Sequence, residues 1–192
     1  SLSPNRAVDL FPASAQGGGI WCGGGGSVYI ENARIRANTS EGDGGGLYAD
    51  RCGVSIRPTS GFVGNADGFV TFFENTAGGN GGGLYLANQS SVNWASLPAN
   101  YFAGRATGNR AIGRGGAVFM TDESQFTGNW IRFEDNRADE RGGALAVQGD
   151  SELSMVTDGN FRCSFTTCPG IFGTRGITEG ESATLIGGAV YA

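Results

Sequence analysis

The chain contains no histidine and no lysine, for all 13 of its basic residues are arginine. Histidine is the commonest general base and metal ligand near neutral pH. Its absence excludes Ser-His-Asp and Cys-His catalysis and most zinc sites, and leaves only carboxylate, arginine or tyrosine chemistry. No apolar run reaches the roughly 18 residues that a membrane-spanning helix needs. The opening SLSPNRAVDL lacks the pattern of a signal peptide, so a targeting segment is expected to lie outside this sequence. A net charge of -5 argues against nucleic acid as a partner. The four cysteines, an even number, read as disulfides in a secreted chain. Cys163 and Cys168, close together in CSFTTC, are expected to pair and to staple the longest insertion. The pairing of Cys22 and Cys52 stays open, since they hold different places in adjacent repeats. Cys22 and Cys52 show no paired spacing of zinc ligands.

Glycine is in excess, at 36 of 192 residues, against a usual share of roughly 7%. Disorder does not explain it, because the chain also carries 12 Phe, 5 Tyr and 3 Trp. A repeat does. Glycine blocks begin at 17, 44, 81, 115, 142 and 187, as GGGIWC, GGGLYA, GGGLYL, GGAVFM, GGALAV and GGAVYA. Their intervals are 27, 37, 34, 27 and 45 residues, so about 27 is the bare unit. A second marker keeps step. Asn38, Asn75, Asn109 and Asn136 each precede the next block by six residues, and Ile35, Phe72, Ala106 and Phe133 stand three residues earlier.

Each unit shows three short apolar segments with the alternation of strands: one after the glycines, one near Val28, Val54, Val92, Phe126 and Leu153, and one at the Ile35 position. One such unit cannot bury a core, but stacked units can. The pattern predicts an all-β fold, a right-handed parallel β-helix of about six short coils, as one segment over 1–192. The glycines fall at a corner where rungs press close. Asn38, Asn75, Asn109 and Asn136 are expected to form an internal hydrogen-bonded ladder. RAVDLF, with Val8 nine residues before Gly17 as Ile35, Phe72 and Phe133 stand before their blocks, reads as the last strand of a preceding coil, and GGAVYA opens a further one. The chain is therefore expected to belong to a longer stack, or to be completed by another subunit head to tail.

GGAV, GGAL and GGAV, with FFEN from Phe72 to Asn75 and FEDN from Phe133 to Asn136, resemble the repeats of the chlamydial polymorphic outer membrane proteins. Looser copies extend the resemblance over nearly the whole chain. It implies a right-handed β-helix passenger displayed on the cell surface, and for many members adhesion.

On the first strand the residues between the inward aliphatics are Trp21, Tyr48, Tyr85, Phe119, Ala146 and Tyr191. They should form an exposed aromatic wall, a candidate contact surface for a protein or a sugar polymer, or else a stack that only stabilises the sheet. All the extra residues of the longer units fall between the second and third strands, including RPTSGFVGNADG and SLPANY, and should line one edge. Asp135, Asp139 and Glu140 near Arg137 and Arg141 could suggest a lyase or glycosidase, but no acidic pair recurs to single out a cleft. Sequons stand at Asn38 and Asn88. The ladder excludes a glycan at Asn38, while Asn88 falls in a turn.

These features predict an extracellular structural or adhesive protein, surface-displayed or filament-forming, without catalysis, cofactor or metal. Its partners are expected to be proteins, copies of itself or cell-surface glycans. The alternative is a carbohydrate-active β-helix enzyme or a carbohydrate-binding module.

Overall fold

The computed structural model describes residues 6–7, 15–31, 33–57, 70–94, 104–129, 131–156 and 190–191. All regular structure among them is strand. After β1 (Arg6–Ala7), one coil comprises β2 (Ile20–Gly23), β3 (Ser27–Glu31), β4 (Arg34–Arg36) and β5 (Thr39–Ser40). The next comprises β6 (Leu47–Asp50), β7 (Gly53–Arg57), β8 (Val70–Phe73) and β9 (Thr76–Ala77). A third comprises β10 (Leu84–Ala87), β11 (Ser91–Trp94), β12 (Gly104–Thr107) and β13 (Arg110–Ala111). A fourth comprises β14 (Val118–Met120), β15 (Gln125–Asn129), β16 (Ile131–Glu134) and β17 (Arg137–Ala138). β18 (Leu145–Val147), β19 (Glu152–Val156) and β20 (Val190–Tyr191) continue the stack.

Equivalent strands of successive coils pair in parallel, which gives the expected parallel β-helix. The first sheet is β2-β6-β10-β14-β18-β20, the second β3-β7-β11-β15-β19, and the third β4-β8-β12-β16. A fourth, β1-β5-β9-β13-β17, was not expected. Its strands are two residues long and carry small or polar side chains, such as Thr76–Ala77, too brief to show a period. This sheet also corrects the reading of RAVDLF. Arg6 pairs with Thr39 and Ala7 with Ser40, so β1 is the last strand of a coil but lies in the short fourth sheet rather than in the sheet of Ile35. Counting back from Gly17 misled because the link from this strand to the glycines is longer here than in the next coil.

Three corners of the coil turn through left-handed residues. One precedes each ladder asparagine: Ala37, Glu74, Gly108 and Asp135 have φ of 53, 54, 64 and 54°. A second joins the first and second sheets. At Asn88–Gln89 both residues have positive φ (53 and 64°), and Ser90 N–H donates to the Ala87 carbonyl at 3.2 Å, forming a type I′ turn. The third corner is the opening glycine of each described block, as at Gly44 with φ 68°. The following glycine is selected by contact. A Cβ on Gly45 would lie 2.5 Å from the carbonyl oxygens of Gly82 and Thr76. In the third place of the block Ala117 and Ala144 replace glycine and are fully buried, so a methyl fits there.

The core runs up the axis. Leu47, Leu84, Val118 and Leu145 stack inward from the first sheet, and Ile35, Phe72, Ala106 and Phe133 from the third. Trp94 is fully buried and contacts Phe72 edge-on at 5.4 Å between ring centroids. Its bulk is offset by small neighbours: Gly104, where a Cβ would strike the indole, and Gly128 in the paired position.

Candidate functional site

The first-sheet side chains do point outward and stack. Tyr48 and Tyr85 lie with centroids 5.0 Å apart and planes 5° from parallel, and Tyr85 and Phe119 lie 5.3 Å apart at 22°. They are not the exposed wall expected from sequence. Tyr48 is 8% exposed and Phe119 4%, Tyr85 is half-buried, and Trp21 alone among the described members is open, at 59%. Alternation fixes which face a residue takes, but not whether other side chains close over that face. Part of the cover is evident. Arg114, at the start of one first-sheet run, reaches Gln148 at the end of the next coil's run, donating to Oε1 at 2.7 Å, so the two side chains cross the face that Ala146 lines. Tyr48 is bonded to Gln16. Tyr191 pairs by backbone with Ala146, and its side chain is outside the described residues.

Beside the stack runs a second ladder, in the position just before the glycines. Asp43 Oδ1 accepts from the backbone N–H of Asn80 at 2.6 Å and from its side-chain amide at 3.0 Å. Asn80 Oδ1 in turn accepts from the Arg114 backbone N–H at 2.9 Å. Burial pushes the Asp43 carboxyl above the usual range, against the lowering effect of these bonds. Burial also pushes up the Tyr48 and Tyr85 phenols, helped by the negative charges of Asp43, Asp50 and Asp122.

The asparagine ladder lies inside. Asn38, Asn75, Asn109 and Asn136 are fully buried. Asn109 shows the unit. Its Oδ1 accepts from the Asn75 backbone N–H at 3.1 Å and side-chain amide at 2.9 Å. Its own amide donates to Asn136 Oδ1 and to the Phe72 carbonyl, both at 2.9 Å. These bonds leave the ladder no free edge for a ligand. A shorter serine series at the type I′ corner was not noticed in the sequence: Ser90 Oγ accepts from the Cys52 N–H, and Ser151 Oγ from the Ser124 N–H, each at 3.1 Å.

Cys22 and Cys52 form a disulfide joining adjacent coils, with Cα atoms 5.9 Å apart. Their different positions in the repeat are what permits it. Cys22 points inward beneath the small Ala49, and Cys52 stands at the next coil's corner, 3% exposed. Cys163 and Cys168 lie outside the described residues, as do the insertions between β7 and β8 and between β11 and β12.

The charged turns pair among themselves. Asp139 accepts from Arg110 at 2.8 Å and Arg137 at 3.0 Å, Glu140 pairs with Arg114 at 3.2 Å, and Gln89 bonds Glu123 at 3.0 Å. No group of three or more His, Cys, Asp or Glu among the described residues could hold a metal ion. No helix among them is long and apolar enough to cross a membrane. Asn88 is exposed and donates to Asp50 at 2.9 Å.

Residues 69–87 match the Chlamydia polymorphic membrane protein repeat. The match takes in β8, the ladder Asn75, β9, the glycine block and β10, about half a turn of the stack from third sheet to first. No curated protein and no solved structure matches the chain.

Proposed function

We propose that this chain is a surface-displayed β-helix that serves structure and adhesion and catalyses no reaction of its own. The observation that carries the reading is the polymorphic membrane protein repeat at 69–87, set in a stack that repeats the same geometry above and below it. That repeat points to the outer membrane or cell surface. The Cys22–Cys52 disulfide fits an oxidising compartment. A solenoid held by inward ladders leaves its outer faces free to vary, which suits contact with proteins, further copies of the chain or glycans. The ion pairs of Asp139 and Glu140 support a structural role for these acids.

Antibodies raised against the folded chain should label intact source cells, and beads coated with the chain should adhere to a target surface more than albumin-coated beads. Labelling only after permeabilisation would overturn the surface assignment. Incubation with a panel of acidic and neutral polysaccharides should release neither reducing ends nor unsaturated products. Release of either would favour the enzyme reading.

A further inference from the structure

We propose that the outer face of the third sheet is a binding site for an acidic polysaccharide, a sugar polymer carrying carboxylate or sulfate groups. The proposal deepens the adhesive reading above and rests on it. Two registered columns of side chains face outward there. One reads Arg34, Thr71, Arg105 and the other Arg36, Phe73, Thr107, Glu134; Arg132 follows Arg105 in the backbone register, and its side chain is outside the described residues. Three arginines against one glutamate contrast with the whole chain, where 18 acids outnumber 13 bases.

The strip holds a groove of about 280 Å³, lined by Arg34, Arg36, Thr71, Phe73, Arg105, Thr107 and Glu134. A second, independent observation points to a missing partner. Arg105 Nε and Thr107 Oγ1, both on lining residues, are shut off from solvent and have no hydrogen-bond partner. Buried polar atoms are nearly always satisfied, and two of the four unpartnered ones among the described residues lie on this lining. An anionic oxygen can accept from both the guanidinium and the hydroxyl. Arg36 is held in place, its guanidinium 5.2 Å from the Phe73 ring centroid and 3.4 Å from the Glu74 carboxylate. Glu74 and Glu134 keep the strip from saturating with charge and favour spaced anionic groups over a dense cluster.

The occupant is a polymer because the binding groups recur along the stack. Rungs repeat every ~4.8 Å, a distance on the scale of one sugar ring, and arginine stands on two of the three described rungs of the first column, at Arg34 and Arg105. Nucleic acid fits less well. The net charge is -5, and the aromatic ring in the groove, Phe73, is taken up by Arg36 rather than open to stack a base. A lipid surface would need apolar side chains, and Phe73 is the one such residue in the two columns.

The test uses the full chain with heparin as the acidic polysaccharide, dextran as the neutral one and inorganic sulfate as a free anion. Heparin should bind and weaken steeply with added salt, dextran should not bind, and inorganic sulfate should compete only at far higher concentration. Arg34→Gln and Arg105→Gln should each weaken heparin binding at least tenfold. Arg110→Gln, on the fourth sheet, should change it less than twofold. Should Arg105→Gln lower the melting temperature, the exposed Arg34 decides. Absence of heparin binding at low salt, an equal loss from Arg110→Gln, or sulfate competing as well as heparin per sulfate group would each overturn the proposal. Heparin binding by a chain whose coated beads do not adhere supports this site and sinks the adhesive reading. Adhering beads without heparin binding do the reverse.

Discussion

Three glycines in a row look interchangeable, yet in each block they are held by different forces. The first is left-handed, as Gly44 is at φ 68°. The second has no room, since a Cβ on Gly45 would sit 2.5 Å from carbonyl oxygens on two sides. The third admits a methyl, as Ala117 and Ala144 show. Gly45→Ala should therefore destabilise by on the order of 3 kcal/mol or more, because the obstructing atoms are backbone and cannot rotate away. For a chain of this size that is a fall of roughly 6–12 °C in melting temperature. Gly83→Ala, in the third place, would meet one carbonyl oxygen, that of Ala117 at 2.6 Å, where Gly45→Ala meets two, and should therefore cost less than Gly45→Ala. Paired thermal melts check the contrast, and equal losses would refute the separate assignments. The block itself was plain in the sequence. Its internal division was not, because glycine is spelled the same whether φ or contact demands it. The left-handed corner before each ladder asparagine went unread for the converse reason: Ala37, Glu74, Gly108 and Asp135 share a conformation and no chemistry.

At the scale of the element, the ladder and the aromatic stack answer to different perturbations. Asn109→Asp keeps the acceptor but removes the amide that serves Asn136 Oδ1 and the Phe72 carbonyl, and it puts a carboxylate in a fully buried site. The expected loss is on the order of 3 kcal/mol or more at neutral pH. It should shrink in acid, where the carboxyl is protonated and regains a donor; denaturant melts at two pH values would show it. The aromatic stack is sensitive at the other end of the scale. Burial raises the Tyr85 phenol above its ordinary value, which is near 10 in the unfolded chain. The unfolded state therefore loses this proton first, so stability is intact below pH 10 and falls as pH rises beyond it. Tyr85→Phe should keep the stack and reduce alkaline unfolding relative to the parent chain. An unchanged alkaline midpoint would show that the phenol is not the sensitive group. The ladder was legible because one residue type recurs at one phase. The cover over the aromatic face was not, because it depends on reach between coils, as from Arg114 to Gln148, which no local pattern encodes.

In the whole molecule each coil touches mainly its neighbours, so stability is a sum of coil and interface terms rather than one indivisible core. The Cys22–Cys52 disulfide is placed on that scheme at a single interface, between the coils of β2–β5 and β6–β9, and closes a span with a sequence separation of 30. Loop-closure entropy assigns such a link about 3–4 kcal/mol. In a globular core the effect of reduction would spread over every element, whereas in a solenoid it should stay near the break. Hydrogen exchange on the reduced chain should therefore accelerate in β2 and β3 and at the Gly25 and Arg51 turns, whose backbones are bonded to each other at 2.8 Å. The ladder region around Asn109 and Asn136 should keep its protection. Comparing oxidised and reduced chains by mass spectrometry after exchange reads both regions at once. Uniform loss of protection across all coils would mean that the stack unfolds as one unit, and the nearest-neighbour account of its stability would fail.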